Sequence, residues 1–199
     1  MRIGIFGGTF NPPHNGHVRA AAHAREALGL DKVVFVPASV PPHKAVPLGT
    51  PDPGTRLRLT QAAVEGLPWA DVSDIEVSRP GVSYTADTVR AFTQTYPDAE
   101  LWLLTGSDNF LNLQSWYRPD FIFTACSVAV FAREMHLESE VQTQQDRLRE
   151  QYGAKTAVVE LEPVVISSTE LRDMIRRGQG SEHLPPKVAD LITQLGLYT

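Results

Sequence analysis

Two histidines, His14 and His17, follow a glycine-rich turn at a place in the sequence where an anion could bind. Gly7 and Gly8 end a short apolar run, and a helix is predicted to begin at about His17. Glycines in such a turn let backbone N–H groups approach a phosphate closely, and the helix N-terminus adds partial positive charge. The spacing fits neither G-x-G-x-x-G nor a P-loop. We call residues 7–17 the histidine loop. We expect its two histidines, His14 and His17, to contact the phosphate.

The sequence alone leaves three interpretations of this histidine pair. The two side chains could be structural residues of a turn, ligands of a metal ion, or donors to an oligophosphate. A metal site lacks an evident third protein ligand. Donation to an oligophosphate fits best, because a cation near a helix N-terminus is unfavourable until an anion arrives.

A second candidate anion site lies far along the chain, at residues 166–172. Ser167 and Glu170 have the spacing of a helix capping box, which fully explains both residues. It does not explain Arg172, a cation in the first turn and off the apolar face of the predicted helix. Hydroxyls and N–H groups at a helix start, with an arginine beside them, favour binding of a β- or γ-phosphate.

The elements that must position these residues alternate between strands and helices. Strands are predicted over residues 2–6, 32–36, 72–77, 101–105, 127–132 and 157–161. Helices are predicted over residues 17–28, 56–65 and 85–95, with a solvated helix over 136–149. The alternation predicts an α/β fold, a Rossmann-like doubly wound and mostly parallel sheet with helices on both faces. Ligands of such sheets bind beyond the carboxyl ends of the strands.

The segment between residues 37 and 53 contains six prolines, which predicts a restricted loop rather than a domain linker. We expect this proline-rich loop to overhang the ligand end of the sheet. No other segment indicates a domain boundary, so residues 1–199 are predicted to form a single domain.

Composition narrows the class of protein further. The 199 residues are 42% hydrophobic and carry a net charge of −5, which argues against general nucleic-acid or anionic-membrane binding. The single cysteine, Cys126, excludes an internal disulfide and a cysteine zinc cluster, and its apolar surroundings predict a buried, inert thiol. No signal peptide or membrane-spanning apolar run is evident, so a cytoplasmic location is expected.

The histidine loop and residues 166–172 together resemble the H-x-G-H nucleotidyltransferase superfamily. More closely, the whole chain resembles the bacterial nicotinate-nucleotide adenylyltransferases. Further matches run in the family's order: Pro41-Pro42-His43-Lys44, Ser83-Tyr84-Thr85-Ala86-Asp87-Thr88, Gly106-Ser107-Asp108, Ser115-Trp116-Tyr117 and Gly196-Leu197-Tyr198. One departure is Asn11, where the superfamily more often has Asp, so residue 11 is not assigned as a metal ligand.

This resemblance implies transfer of the adenylyl group of ATP to nicotinate mononucleotide, which yields deamido-NAD and pyrophosphate. Mg²⁺ is expected to accompany ATP, and no metal ligand is assigned to the protein. By similarity His17 contacts the reacting phosphates as a catalytic residue, and His14 lies beside it. The other expected ATP contacts are Gly8, Thr9, Phe10, Gly106, Asp108, Ser167, Ser168, Thr169 and Arg172.

The resemblance also implies a set of residues for the mononucleotide. Trp116 is expected to stack on the pyridine ring, Lys44 to meet the phosphate, and Thr85 and Tyr117 to offer N–H groups to the carboxylate. The alternatives are a core tryptophan and a solvated loop lysine. The full expected set is Lys44, Ser83, Tyr84, Thr85, Asp108, Trp116, Tyr117 and Arg133.

Other functions stay open at this point. A phosphopantetheine adenylyltransferase or a cytidylyltransferase would share the histidine loop but lack the Ser-Tyr-Thr and Trp-Tyr segments. A non-catalytic dinucleotide-binding regulatory module is the rival from another class, and a zinc protein is a more distant one. The sequence also leaves open the oligomeric state, a homo-oligomer included, and the preference for nicotinate over nicotinamide mononucleotide. It assigns no role to His43 or Asp87 and does not establish whether the proline-rich loop closes.

Overall fold

A computed structural model describes residues 1–42, 46–132, 138–161 and 166–199. Its centre is a six-stranded parallel sheet with strand order β3-β2-β1-β4-β5-β6. The strands are β1 (Arg2–Gly8), β2 (Lys32–Pro37), β3 (Ala70–Val72), β4 (Glu100–Gly106), β5 (Ser127–Ala132) and β6 (Thr156–Glu160). The order reverses between β1 and β4, and the crevice at such a reversal is where open α/β sheets bind ligands.

Helices cover both faces of this sheet. They are α1 (Asn15–Leu28), α2 (Pro53–Val64), α3 (Thr85–Thr95), α4 (Ser107–Phe110), α5 (Pro119–Ala125), α6 (Glu138–Tyr152), α7 (Ser168–Arg176) and α8 (Pro186–Leu195). Helices α1, α2, α7 and α8 share one apolar core, and α3 to α6 share the other. The predicted doubly wound α/β fold is therefore confirmed.

Alternate residues of the inner strands β2, β1, β4 and β5 supply the two cores, which explains why these strands are largely apolar. Ile3 and Ile5 of β1 enter the core with α3 to α6, whereas Phe6 enters the opposite core. Side chains of a strand alternate between faces, so a strand buried on both sides has no polar face. None of the helices in the described part of the chain is long and apolar enough to span a membrane.

Most predicted elements occur within two or three residues of their expected ends, but the strand predicted over residues 72–77 is wrong. Strand β3 ends at Val72, and residues 75–77 form a turn. Ser73 still donates its N–H to the Phe35 carbonyl at 2.9 Å, after which the chain leaves the sheet. Ile75 in this turn packs against the core that includes α3, which accounts for its apolar side chain.

Three helices, α4, α5 and α8, were not expected from the sequence, and two of them begin with proline. Pro119 is the first residue of α5. Pro186 similarly begins α8. Proline suits the first turn of a helix because its missing N–H has no intrahelical partner there.

Candidate active site

A cleft of about 330 Å³ opens at the carboxyl ends of β1 and β4, where the strand order reverses. The end of β1, the end of β4, the start of α3 and residues 116–117 line it. Pro41 and Pro42 of the proline-rich loop also line the cleft, so this part of the loop lies at the ligand end, as predicted. Ligand binding is thus expected at the place where the sequence predicts it.

The two histidines form a reciprocal cap at the start of α1. The Gly16 N–H donates to His14 Nδ1 at 3.1 Å, and the His14 N–H donates to His17 Nδ1 at 3.2 Å. The ring centroids lie 3.8 Å apart. This is the geometry of a capping box, which usually consists of Ser or Thr with Glu. Because Nδ1 accepts in both rings, a neutral imidazole must carry its proton on Nε2 and present that atom as a donor.

The two rings differ in exposure. His14 is only 2% exposed, whereas His17 is half-buried and lines the cleft. The Phe10 ring stands edge-on to His17 with centroids 5.1 Å apart. Phe10 itself has a positive φ of 46°, an unusual conformation for a residue with a bulky side chain. The loop therefore holds His17 at the cleft between a capping bond and an aromatic contact.

Packing against Phe10 favours glycine at position 8, independently of any bound phosphate. A Cβ at Gly8 would lie 3.0 Å from the Phe10 ring, closer than most Cβ contacts. A Cβ at Gly7 would meet nothing within 4 Å. A side chain at position 8 would therefore need the Phe10 ring to shift, whereas position 7 faces open space.

The structure brings the second predicted anion site against the histidine loop. Arg172 donates to the Asn11 carbonyl at 2.8 Å, to the Ser168 carbonyl at 3.1 Å and to Thr169 Oγ1 at 3.1 Å. The Ser168 hydroxyl donates to the Pro12 carbonyl at 3.2 Å. These contacts join two segments more than 150 residues apart in the chain. The three bonds of Arg172 use three of its five guanidinium N–H donors.

Ser167 acts as the cap of α7, as its spacing predicts. Its hydroxyl accepts from the Glu170 N–H at 3.2 Å, and its own N–H donates to Glu170 Oε2 at 2.8 Å. The bonds from the Ser167 N–H and hydroxyl lower the pKa of Glu170. The residues that begin α7 do not line the 330 Å³ cleft. They contact the histidine loop beside it.

Arg56 was not singled out in the sequence, yet it holds the loops of the cleft together. It is 1% exposed and donates to the carbonyls of Thr9 at 2.7 Å, Ser39 at 3.1 Å and Pro51 at 3.2 Å. Burial lowers the pKa of its guanidinium. These carbonyls belong to the histidine loop and to both ends of the proline-rich loop. The available signal was an arginine among apolar residues of the predicted second helix.

The opposite wall of the cleft carries the residues expected to bind the mononucleotide. Ser83 and Tyr84 immediately precede α3, and Thr85 is its first residue. The side chain of Tyr84 does not cap this helix, so it accepts no hydrogen bond from the backbone N–H groups of the first turn. The Tyr84 and Tyr117 rings lie 4.6 Å apart, and Trp116 is half-buried beside them. The structure thus brings the Ser-Tyr-Thr and Trp-Tyr segments to one wall.

The end of β4 completes the cleft. Gly106 ends the strand, and Asp108 lies exposed in the short helix α4. Among the residues with described positions, no group of three or more His, Cys, Asp and Glu is arranged to hold a metal ion. The predictions for Lys44 and Arg133, like the question about His43, fall outside the described residues.

Glu76 lines the cleft and was not identified from the sequence. It was assigned to a strand, but it lies in the turn after β3, is 7% exposed and lines the cleft. The Thr88 hydroxyl donates to Glu76 Oε1 at 2.6 Å. Burial raises the pKa of this carboxyl group.

Comparison with known proteins establishes the class first. The cytidylyltransferase-like family model matches residues 5–174, which is most of the chain. The chain therefore belongs to the cytidylyltransferase-like nucleotidyltransferases.

Full-length relatives narrow the family. The chain is 39% identical to a probable nicotinate-nucleotide adenylyltransferase of Trichlorobacter lovleyi, over 100% of this chain and 99% of the relative. It is 36% identical to that of Geobacter sulfurreducens, over 96% of this chain and 94% of the relative. The chain belongs to the nicotinate-nucleotide adenylyltransferase family, which confirms the resemblance seen in the sequence.

Solved structures agree on the fold. The nicotinic acid mononucleotide adenylyltransferase of Plasmodium falciparum, complexed with NaAD, has a TM-score of 0.79 to this structure. The alignment covers 99% of this chain and 97% of the other, at 16% identity. At this identity the likeness concerns the fold alone.

Proposed function

We propose that this protein transfers the adenylyl group of ATP to nicotinate mononucleotide, forming deamido-NAD and pyrophosphate. The proposal rests on one observation: in this member of the family, the cleft has two walls of different chemistry. One side presents the His17 donor on the histidine loop, and the other presents the start of α3 with Trp116 and Tyr117. The first wall suits phosphates, and the second suits a flat ring with a carboxylate.

The chemical step needs no protein nucleophile. An oxygen of the mononucleotide 5′-phosphate attacks the α-phosphorus of ATP, and the bond between that phosphorus and the bridging oxygen of pyrophosphate breaks. The enzyme has to position both reactants and stabilise the charge on the transferring group. His17 donates from Nε2 to a phosphate oxygen, while the His14 N–H fixes the other ring nitrogen. His14, which is buried, orients this donor from its place beside it.

The residues around the histidine loop hold the rest of ATP. Gly8, Thr9 and Phe10 offer backbone N–H groups, and Gly106 and Asp108 line the middle of the cleft. The outgoing pyrophosphate lies toward α7, where it meets N–H and hydroxyl donors at a helix N-terminus. The α7 residues proposed for this contact are Ser167, Ser168, Thr169 and Arg172.

Mg²⁺ fits this cleft as an ion carried by ATP. Mg²⁺ retains several waters and is commonly bound by substrate phosphates with one or two carboxylates, so it needs no cage of protein ligands. Asp108 is an exposed carboxylate on the cleft wall that could face the ion or its waters. When bound, the ion neutralises charge on the β- and γ-phosphates as pyrophosphate leaves.

The wall formed by Ser83, Tyr84, Thr85, Trp116 and Tyr117, here the acceptor wall, is expected to favour nicotinate over nicotinamide. The N–H groups of Thr85 and Tyr117 donate to the carboxylate, while Trp116 stacks on the ring. Ser83 and Tyr84 shape this subsite, and Lys44 and Arg133 are kept as predicted contacts of the mononucleotide. Nicotinamide would direct an NH₂ donor at these N–H donors and leave groups unpaired.

The proposal is tested by pyrophosphate release from ATP and Mg²⁺ with one acceptor at a time. The acceptors are nicotinate mononucleotide, nicotinamide mononucleotide, phosphopantetheine and glycerol phosphate. We expect kcat/KM for nicotinate mononucleotide to exceed that for the amide by at least about 100-fold, within the range for a defining polar group. Equal use of the two mononucleotides would contradict the proposed acceptor wall. Faster turnover with another acceptor would assign the protein to a different reaction.

A further inference from the structure

Glu76 is a buried carboxylate on the cleft wall, and the mechanism above gives it no role. It lies in the turn after β3 and lines the cleft together with Ser83, Tyr84 and Thr85. A buried carboxylate is costly unless it accepts several hydrogen bonds. The groups that donate hydrogen bonds to Glu76 therefore indicate which part of the fold this residue stabilises.

One hydroxyl group donates to Glu76 from the first turn of α3. Thr88 Oγ1 lies 2.6 Å from Oε1, and Arg79 Nη2 lies 3.4 Å from Thr88 Oγ1. A hydroxyl has one proton, so a Thr88 hydroxyl that donates to Glu76 accepts from Arg79. Ser83, just before α3, lines the cleft with Glu76, and its Oγ accepts from the Ser39 N–H at 2.9 Å.

The bond from Thr88 fixes the start of α3, where the residues that face the nicotinate lie. Ser83 precedes Tyr84 and Thr85, and Thr88 follows them in the first turn of α3. The Ser83 N–H donates to the Val40 carbonyl at 2.9 Å, which joins this segment to the loop after β2. Since Tyr84 provides no side-chain cap, tertiary contacts must fix the helix start. The bond from Thr88 to Glu76 is one of those contacts.

We infer that Glu76 is a positioning residue for the acceptor subsite, because it fixes the Thr85 N–H and the Tyr84 ring relative to the cleft. The inference rests on the proposed function for the identity of the ligand. It does not place Glu76 in contact with the substrate. Glutamine has the same size but lacks the carboxyl charge and has only one acceptor oxygen, so Glu76→Gln weakens the bond from the Thr88 hydroxyl.

The test compares Glu76→Gln and Thr88→Val with the wild type in steady-state kinetics. We expect each variant to raise KM for nicotinate mononucleotide about tenfold, the scale of one weakened hydrogen bond, while KM for ATP changes little. Asp74→Asn is the matched control. Asp74 is an exposed carboxylate two residues away that accepts from the Ser78 hydroxyl at 2.8 Å, outside the Glu76 contacts. This control should leave both KM values unchanged.

Amide hydrogen exchange of the free protein gives a readout that needs no substrate. Glu76→Gln should accelerate exchange of the first amides of α3 that are protected in the wild type, with little change in α1 and α7. Unchanged exchange in α3, or an equal rise in both KM values, would overturn the inference. A wild type that does not use nicotinate mononucleotide would overturn the proposed function instead, and the exchange result would still decide whether Glu76 fixes α3.

Discussion

Replacement of Arg56 by methionine should destabilise the protein strongly for a single residue. Methionine retains an apolar stem but removes the donors to the Thr9, Ser39 and Pro51 carbonyls, which lie 2.7, 3.1 and 3.2 Å from the guanidinium. Leaving a buried carbonyl unpaired costs about 1–3 kcal/mol. Removal of a desolvated charge offsets part of that cost.

We expect a net loss of about 3 kcal/mol in the free energy of unfolding, which lowers Tm by roughly 6–12 °C for a chain of this size. Thermal unfolding followed by circular dichroism measures this shift. Arg56→Lys should recover little, because a single ammonium cannot reproduce the planar fork. The matched control is Arg58→Met, which removes an exposed arginine from the same helix.

The control should melt close to the wild type, because exposed substitutions usually change stability by less than about 0.5 kcal/mol. If Arg56→Met melted with the control, the three carbonyls would not depend on the guanidinium. The account of how the histidine loop and the proline-rich loop are held would then be wrong. A loss confined to ATP affinity, without any change in Tm, would contradict it as well.

Three further predictions concern single side chains. His17→Ala should lower kcat roughly 10²–10³-fold, the scale for loss of one preorganised donor. The control His23→Ala, on the exposed side of α1, should leave kcat unchanged. Normal turnover of a folded His17→Ala protein would remove His17 from the mechanism. Trp116→Ala should raise KM for nicotinate mononucleotide roughly 5- to 150-fold and leave KM for ATP nearly unchanged. Trp116→Phe should recover part of this loss. An unchanged KM for the mononucleotide in Trp116→Ala would make Trp116 a packing residue. Burial raises the pKa of Cys126 to about 12. The folded protein should therefore resist iodoacetamide at pH 8, where only about 10⁻⁴ of this thiol is ionised, and rapid labelling without unfolding would contradict its burial.

Local patterns in the sequence were sufficient to predict the parallel sheet and the segments that meet at the cleft. The apolar runs of β1, β2, β4, β5 and β6 and the Ser167–Glu170 spacing depend on neighbours in the sequence, and these elements occur as expected. His14 and His17 also have capping-box spacing, but histidine is not a usual member of that motif. Their reciprocal bonds became evident only in the structure.

The residues that were missed owe their roles to contacts between distant segments. Arg56 lies in a helix, but its partners belong to three loop positions up to 47 residues away. Glu76 lies between Ile75 and Val77 in an alternating pattern typical of a strand, although its side chain accepts from Thr88, 12 residues later. A pattern of apolar residues reports burial but does not report which group a buried charge contacts.

Adenylyl transfer from ATP to nicotinate mononucleotide in the cleft can be followed with a label on the transferred group. The most direct measurement uses ATP labelled at the α-phosphate, with nicotinate mononucleotide and Mg²⁺, and follows both products by chromatography and mass spectrometry. We expect the label to enter deamido-NAD and one pyrophosphate to be released for each labelled dinucleotide formed. Label that remains in AMP or ADP, or release of phosphate in place of pyrophosphate, would contradict it.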